Sequence, residues 1–148
     1  MYIKQLSITN RTPELIDNLL SLWQKSVHAS HHFLLPTDIA EIYPEVLHGL
    51  EQIPHLFVAY NEQDEAIGFA GLDDNKLEML FIAPAYFRKN IGSSLLQHIE
   101  QNQPINYVDV NEQNPPALAF YQKHGFTVFK RSDFDSSNRP FPILYMKR

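Results

Sequence analysis

The stretch from Leu77 to Val110 constrains the chain most. It reads as a strand (Leu77 to Ile82), an abrupt turn, a helix marked by Ile91, Leu95, Leu96 and Ile99, and a second strand (Ile105 to Val110). Two strands joined through one helix run parallel, with the helix laid back on one face of the sheet. Any fold for this sequence therefore contains a parallel pair.

Upstream the connections are of another kind. His55 to Tyr60, Ala66 to Leu72 and Leu77 to Ile82 are separated only by the polar turns Asn61-Glu62-Gln63-Asp64-Glu65 and Asp73-Asp74-Asn75, which predicts a three-strand meander. Tyr2 to Thr9 alternates and predicts an opening strand. Thr12-Pro13-Glu14 starts a helix with a hydroxyl cap, a first-turn proline and an acid against the dipole; Leu15, Ile16, Leu19, Leu20, Leu22 and Trp23 supply its apolar face. A second helix is expected from Asp38 to about Gly49, its bounds blurred by Pro44. Asn114-Pro115 opens a helix that Gly125 closes, and Thr127 to Arg131 and Ile143 to Lys147 are the last strands. The order β-α-α-β-β-β-α-β-α-β-β predicts the α/β class: a mixed sheet of about seven strands with helices on both faces. With no repeat or linker, residues 1–148 are expected to form one domain, able to bury roughly 70% of its unfolded surface.

Composition narrows the function. Twelve Lys and Arg against seventeen Asp and Glu give a formal charge of −5, which repels phosphate backbones and argues against general nucleic-acid binding. Cysteine is absent, which removes disulfides, thiolate metal sites and a cysteine nucleophile together. No apolar run approaches the roughly 20 residues that span a bilayer, and the first residues lack a secretory pattern. A soluble cytoplasmic protein is expected, as monomer or homodimer.

The turn after Leu77 to Ile82 carries the first chemical signal. Ala83-Pro84-Ala85-Tyr86-Phe87-Arg88-Lys89-Asn90 delivers the chain directly into Ile91-Gly92-Ser93-Ser94. Such a turn leaves several backbone N–H groups convergent at the positive end of a helix, a site for phosphate or pyrophosphate. Gly92 lets a ligand approach the backbone, Arg88 and Lys89 add positive charge, and Ser93 and Ser94 offer hydroxyls. A helix start of this kind also occurs with no ligand at all, so the turn alone leaves both readings open.

The second signal lies downstream, in Asn114-Pro115-Pro116-Ala117-Leu118-Ala119-Phe120-Tyr121-Gln122-Lys123-His124-Gly125-Phe126 after the strand Val108 to Val110. With the upstream turn it resembles the GNAT superfamily of N-acetyltransferases, over about residues 55 to 131. The family's Asn-x-x-Ala-x-x-Phe-Tyr-x-x-x-Gly-Phe pattern is nearly intact. In its phosphate turn, Phe87 stands where Gln or Arg is usual and Asn90 where the middle glycine is usual; Asn tolerates a left-handed backbone better than most residues with a Cβ.

The resemblance implies acetyl-CoA as donor and an amine of a small molecule or peptide as acceptor, reacting directly in a ternary complex. It implies that the turn from Phe87 to Ser94 holds the pyrophosphate, and that Leu80, Phe81 and Ile82 offer backbone N–H groups to the thioester carbonyl. It also implies that the pantetheine arm lies where that strand splays from Ile105 to Val110. Tyr121 matches the tyrosine that protonates the departing sulfur, with Phe120 expected in the core; both being ordinary core residues is the competing reading. Asn114 caps the last helix, contacts pantetheine amides, or does both. Glu78, placed with the parity of Leu80 and Ile82, is a candidate base; a water chain or a plain exposed carboxylate competes. In relatives the segment Ser26 to Pro36 walls the acceptor pocket, which makes His28, His31, His32 and Phe33 candidate acceptor contacts. The three histidines have the spacing of a helical metal face, but no carboxylate or thiolate joins them, so no metal is expected. The loop Ser132 to Pro142 is a hairpin excursion or a lid. Two other functions fit the sequence: a regulatory CoA-binding module without turnover, and an interaction domain that has lost the cofactor.

Overall fold

The computed structural model describes all residues, Met1–Arg148. Strand β1 (Tyr2–Leu6) leads through a short 3-10 turn to helix α1 (Pro13–Ser30), and α2 (Pro36–Gln52) follows. The meander is β2 (His55–Tyr60), β3 (Ala66–Asp73) and β4 (Lys76–Ile82). Helix α3 (Ile91–Glu100), β5 (Tyr107–Asn111), α4 (Pro115–Lys123), β6 (Thr127–Ser132) and β7 (Ile143–Lys147) complete the expected order. The sheet runs β1-β2-β3-β4-β5-β7-β6, antiparallel throughout except for the parallel pair β4–β5. No helix is long and apolar enough to cross a membrane.

Helices cover both faces, and each face has its own core. Leu95, Leu96 and Ile99 of α3 and Tyr121 of α4 pack on Phe57, Leu77, Val108 and Val110. On the other face Leu19, Leu20 and Trp23 of α1 and Ile39 and Leu50 of α2 meet Leu56, Val58 and Phe69. Successive β2 residues thus serve opposite cores, as a pleated strand buried on both sides requires. Each fully buried leucine contributes about 1.5–3 kcal/mol.

Three boundaries differ from expectation. The opening strand stops at Leu6, because Ser7–Asn10 closes a turn in which Asn10 N–H donates to Ser7 carbonyl. Helix α2 starts at Pro36, where Leu35 N–H donates to Asp38 Oδ2 (2.8 Å), and it runs past Pro44 to Gln52. Leu50, wholly buried, holds that last turn in spite of the proline. Strand β5 begins at Tyr107 rather than Ile105; Ile105 is buried in the core without joining the ladder.

Candidate active site: a parted strand pair beside a helix start

The turn into α3 is wound by two left-handed residues, Arg88 (φ 62°) and Asn90 (φ 62°, ψ 20°). Asn90 thus adopts the backbone a glycine would take. The winding leaves a row of donors unused. The first helical bond is from Ser94 N–H to Asn90 carbonyl (3.0 Å), and no acceptor in the protein takes the N–H of Arg88, Lys89, Asn90, Ile91, Gly92 or Ser93. Six consecutive free donors at the positive end of a helix form an anion cradle. Phe87 is outside it, since its N–H donates to Pro84 carbonyl (3.2 Å). Ile91 contributes its N–H while its side chain is buried in the core. Space at Gly92 is filled from α4: a Cβ there would lie 3.2 Å from Phe120 Cζ. Ser93 Oγ sits 3.0 Å from His124 Nε2.

Beside the cradle the sheet opens. Strands β4 and β5 pair at only two positions, Lys76↔Tyr107 and Leu77↔Val108, and then part, whereas β3 follows β4 as far as Ile82. Ala83 N–H donates to Ile67 carbonyl on β3 (2.8 Å). Strand alternation therefore turns the Phe81 N–H toward β3 and those of Leu80 and Ile82 into the gap. Of the three residues expected to face a thioester, Leu80 and Ile82 present amides and Phe81 does not.

Around the gap stand side chains of β5 and α4. Asn114 Oδ1 accepts from Ala117 N–H (3.3 Å), the expected cap. Tyr121 is buried, with Phe120 and Phe126 set edge-on at 5.1 and 5.8 Å. Its hydroxyl makes no hydrogen bond, and burial pushes its pKa far up. Phe120, expected in the core, is the less buried of the pair and lies on Gly92. Asn111, at the end of β5, was not anticipated: its Oδ1 is buried without a donor, on the strand that borders the gap. Its place three residues before the motif asparagine is the only sequence signal it carried.

Glu78 turns the other way from expectation. The β3–β4 ladder slips between Gly71 and Leu72, and Glu78 is the extra residue of the bulge. Leu77, Leu80 and Ile82 all pack on the α3 side, so the alternation reverses here. Glu78 instead joins Lys76 (3.5 Å), which also holds Asp109 (2.8 Å). Burial opposes the charge of Lys76, but the hydrogen bond to Asp109 and the two carboxylate charges outweigh it and its pKa rises.

The four candidates from the acceptor segment separate. Helix α1 ends at Ser30, so the histidines share no helical face. His28 is exposed and lines a groove with Gln24, Lys25 and Ile39; His32 is exposed. His31 points inward: its Nε2 lies 3.4 Å from Asn114 Nδ2, and its ring sits 5.5 Å from Phe33 and 6.4 Å from Phe81. Phe33 touches Phe141 of the β6–β7 connection (5.9 Å), and Arg139 of that connection pairs with Glu45 of α2 (2.7 Å). The connection is thus docked against the acceptor segment.

Known proteins share this fold. Residues 52–128 match the model of the acetyltransferase (GNAT) domain. The chain is 38% identical over 128 residues to the peptidyl-lysine N-acetyltransferase YjaB of Salmonella typhimurium, covering 86% of this chain and 88% of that one. It is 36% identical over 139 residues to the Escherichia coli protein of the same name, 94% of each. The solution structure of apo-form YjaB from Escherichia coli superposes with a TM-score of 0.83 at 32% identity, covering 99% of this chain and 97% of that chain. The N-acetyltransferase PaiA of Thermoplasma acidophilum, in complex with coenzyme A, shares the fold at a TM-score of 0.67 and 24% identity over the whole of both chains. Fold, family model and relatives together define an N-acetyltransferase that draws its acetyl group from acetyl-CoA. The chain belongs to the GNAT acetyltransferase family.

Proposed function

We propose that the protein acetylates the ε-amine of lysine side chains in peptides or proteins. The row of six unpaired N–H groups beside the parted strands carries the reading, since it suits a diphosphate joined to an extended thioester arm. The lysine acceptor is supported by the relatives named peptidyl-lysine N-acetyltransferases at 36–38% identity.

In this proposal the N–H groups of Arg88 to Ser93 hold the diphosphate, with Arg88, Lys89, Ser93 and Ser94 adding charge and hydroxyls. Asn111 and Asn114 meet the amides of the arm. The Leu80 and Ile82 N–H groups polarise the thioester carbonyl and stabilise the oxyanion as the amine nitrogen attacks. Tyr121 gives its hydroxyl proton to the sulfur as the C–S bond breaks; its raised pKa keeps that proton in place until then. Glu78, beside Lys76 and Asp109, receives the proton lost by the acceptor nitrogen, directly or through water. His31 and Phe33 face the acceptor. The proposed place of action is the cytoplasm, which suits a chain with no cysteine to pair.

Thiol release from acetyl-CoA tests the proposal with four acceptors: a lysine-bearing peptide, a lysine-free peptide, a polyamine and an aminoglycoside. Steady release with the first, and acetyl located on Nζ by mass spectrometry, is expected. At 100 times its dissociation constant, acetyl-CoA is expected to stabilise the fold by about 2.7 kcal/mol. Stabilisation without turnover on the lysine peptide would overturn the acceptor assignment.

A further inference from the structure

His31 stands at the end of α1, and a run of hydrogen bonds decides what its ring can do. Ser30 Oγ donates to Ser26 carbonyl (2.7 Å), which commits the hydroxyl proton. The same Oγ, 2.8 Å from His31 Nδ1, is left to accept, so the ring's single proton belongs on Nδ1. On the far side, Asn114 Oδ1 is held by Ala117 N–H, which turns the Nδ2 donors toward His31 Nε2 at 3.4 Å. Every donor in the run points one way, and Nε2 is a bare acceptor. At 3.4 Å the contact with Asn114 is long for a hydrogen bond, so the Nε2 lone pair is open to a better donor.

The location of that lone pair matters. The ring leans on Phe81, whose chain neighbours Leu80 and Ile82 turn their amides into the gap. It also leans on Phe33, tied through Phe141 to the β6–β7 connection. His31 therefore sits between the acceptor wall and the strand facing the thioester. We propose that His31 Nε2 receives the acceptor amine, accepting a hydrogen bond from its N–H so that the nitrogen lone pair is aimed at the thioester carbonyl. This rests on the acetyl-transfer reading above and names the atom that positions the nucleophile.

A neutral acceptor is chemically suited to the task. An amine attacks only as the free base. A carboxylate in the same place would favour the ammonium and hold the proton on; an uncharged acceptor in an apolar niche favours the neutral amine. Burial, with the nearby charge of His32 adding to it, pushes the His31 pKa down to about 4, so the ring stays uncharged at every pH where a lysine acceptor reacts. The groups packed on it are Ser30 from α1, His32 and Phe33 from its own connection, Phe81 from β4 and Asn114 from α4; only His32 among them has an ionisable side chain. So weak a base does not carry the amine's proton away. That proton leaves by the Glu78 side or by water.

Three variants of the full chain test this with acetyl-CoA and a lysine-bearing peptide. His31→Phe keeps bulk and removes the acceptor; kcat/KM for the peptide is expected to fall about 100-fold, as for a misaimed nucleophile, while the acetyl-CoA dissociation constant stays within about threefold. His31→Gln keeps an uncharged oxygen acceptor and is expected to recover part of the loss with an unshifted pH profile. His31→Glu is expected to move the rising limb of kcat/KM upward by about one pH unit or more. Wild-type peptide kinetics in His31→Phe, or an unshifted profile in His31→Glu, overturns the proposal. A readout independent of turnover is the imidazole nitrogen spectrum of the wild type: a proton on Nδ1, a bare Nε2 and no titration from pH 8 to 5. A proton found on Nε2 overturns the assignment even if the lysine acceptor proves wrong, so the two failures are distinguishable.

Discussion

The two halves of the proposed site, one for the donor and one for the acceptor, are made of different material. The donor half, from Lys76 to Phe126, is built from main chain: free N–H groups on a left-handed turn, two strand amides in a gap, and a capped helix. The acceptor half is built from side chains that meet across long stretches of sequence: His31 on Asn114, Phe33 on Phe141, Arg139 on Glu45. Main chain cannot be substituted away, so the donor half tolerates changes of residue type provided the backbone keeps its path. Asn90 keeps that path, at φ 62°, without being a glycine. The acceptor half has no such protection, and single substitutions there are free to change which amine fits.

The sharpest exception on the donor side is one side chain, Tyr121. Replacement by Phe removes the proton and little else, and kcat is expected to fall by about 10²–10⁴-fold with acetyl-CoA affinity unchanged. Single-turnover kinetics with separately measured binding checks this, and a full kcat would take Tyr121 out of the chemistry.

Next in size is an effect of acid on the acceptor half. The folded protein holds His31 at about pKa 4 against 6.5 for the ordinary group. Below pH 6.5 the unfolded chain binds a proton that the folded chain refuses, so stability drops as pH falls and the loss levels off below about 4. A gap of that size corresponds to about 3 kcal/mol, or roughly 6–12 °C in Tm for a domain of this length. Carboxylates also lose their partners in acid. The difference between wild type and His31→Gln in melting curves from pH 7 to 4 isolates the histidine; equal slopes would place a charged ring in the folded protein.

The smallest effect bears on the cradle itself. Proline fits the first turn of a helix but has no N–H. Ser93→Pro is expected to weaken acetyl-CoA binding about 10- to 100-fold relative to Ser93→Ala, the worth of one hydrogen bond to a charged group. Arg88→Ala and Lys89→Ala, which remove exposed charges, are expected to cost less than about fivefold. Isothermal titration decides the order, and a larger loss from the lysine or arginine would reverse the contrast drawn between backbone and side chain.

The same contrast explains what could be read in advance. The element order and the cap at Asn114 were legible because local chemistry enforces them: a proline after an asparagine starts α4, and Gly125 at φ 91° ends it. The parting of β4 from β5 was legible only through the family resemblance. The bulge at Glu78 was not legible, because an extra residue in a ladder depends on the partner strand and leaves no mark of its own. Reversed alternation then carried Glu78 to the face of Lys76 and Asp109. Which of Phe120 and Tyr121 is buried follows from how α4 lies against α3, which adjacent aromatic residues do not record. His31 was separable from His28 and His32 only by where α1 stops. Its partner lies 83 residues away.

A sheet that parts in its middle is mechanically two leaves, β1–β4 and β5–β7, stitched along their shared border by two rungs at Lys76 and Leu77. Under the proposed acetyl-CoA placement, the extended arm of the donor would supply rungs where the two strands part. The sheet thus carries at its centre the kind of unfinished seam that other sheets show only at the rim, and in the proposed site the donor would be both reagent and stitching.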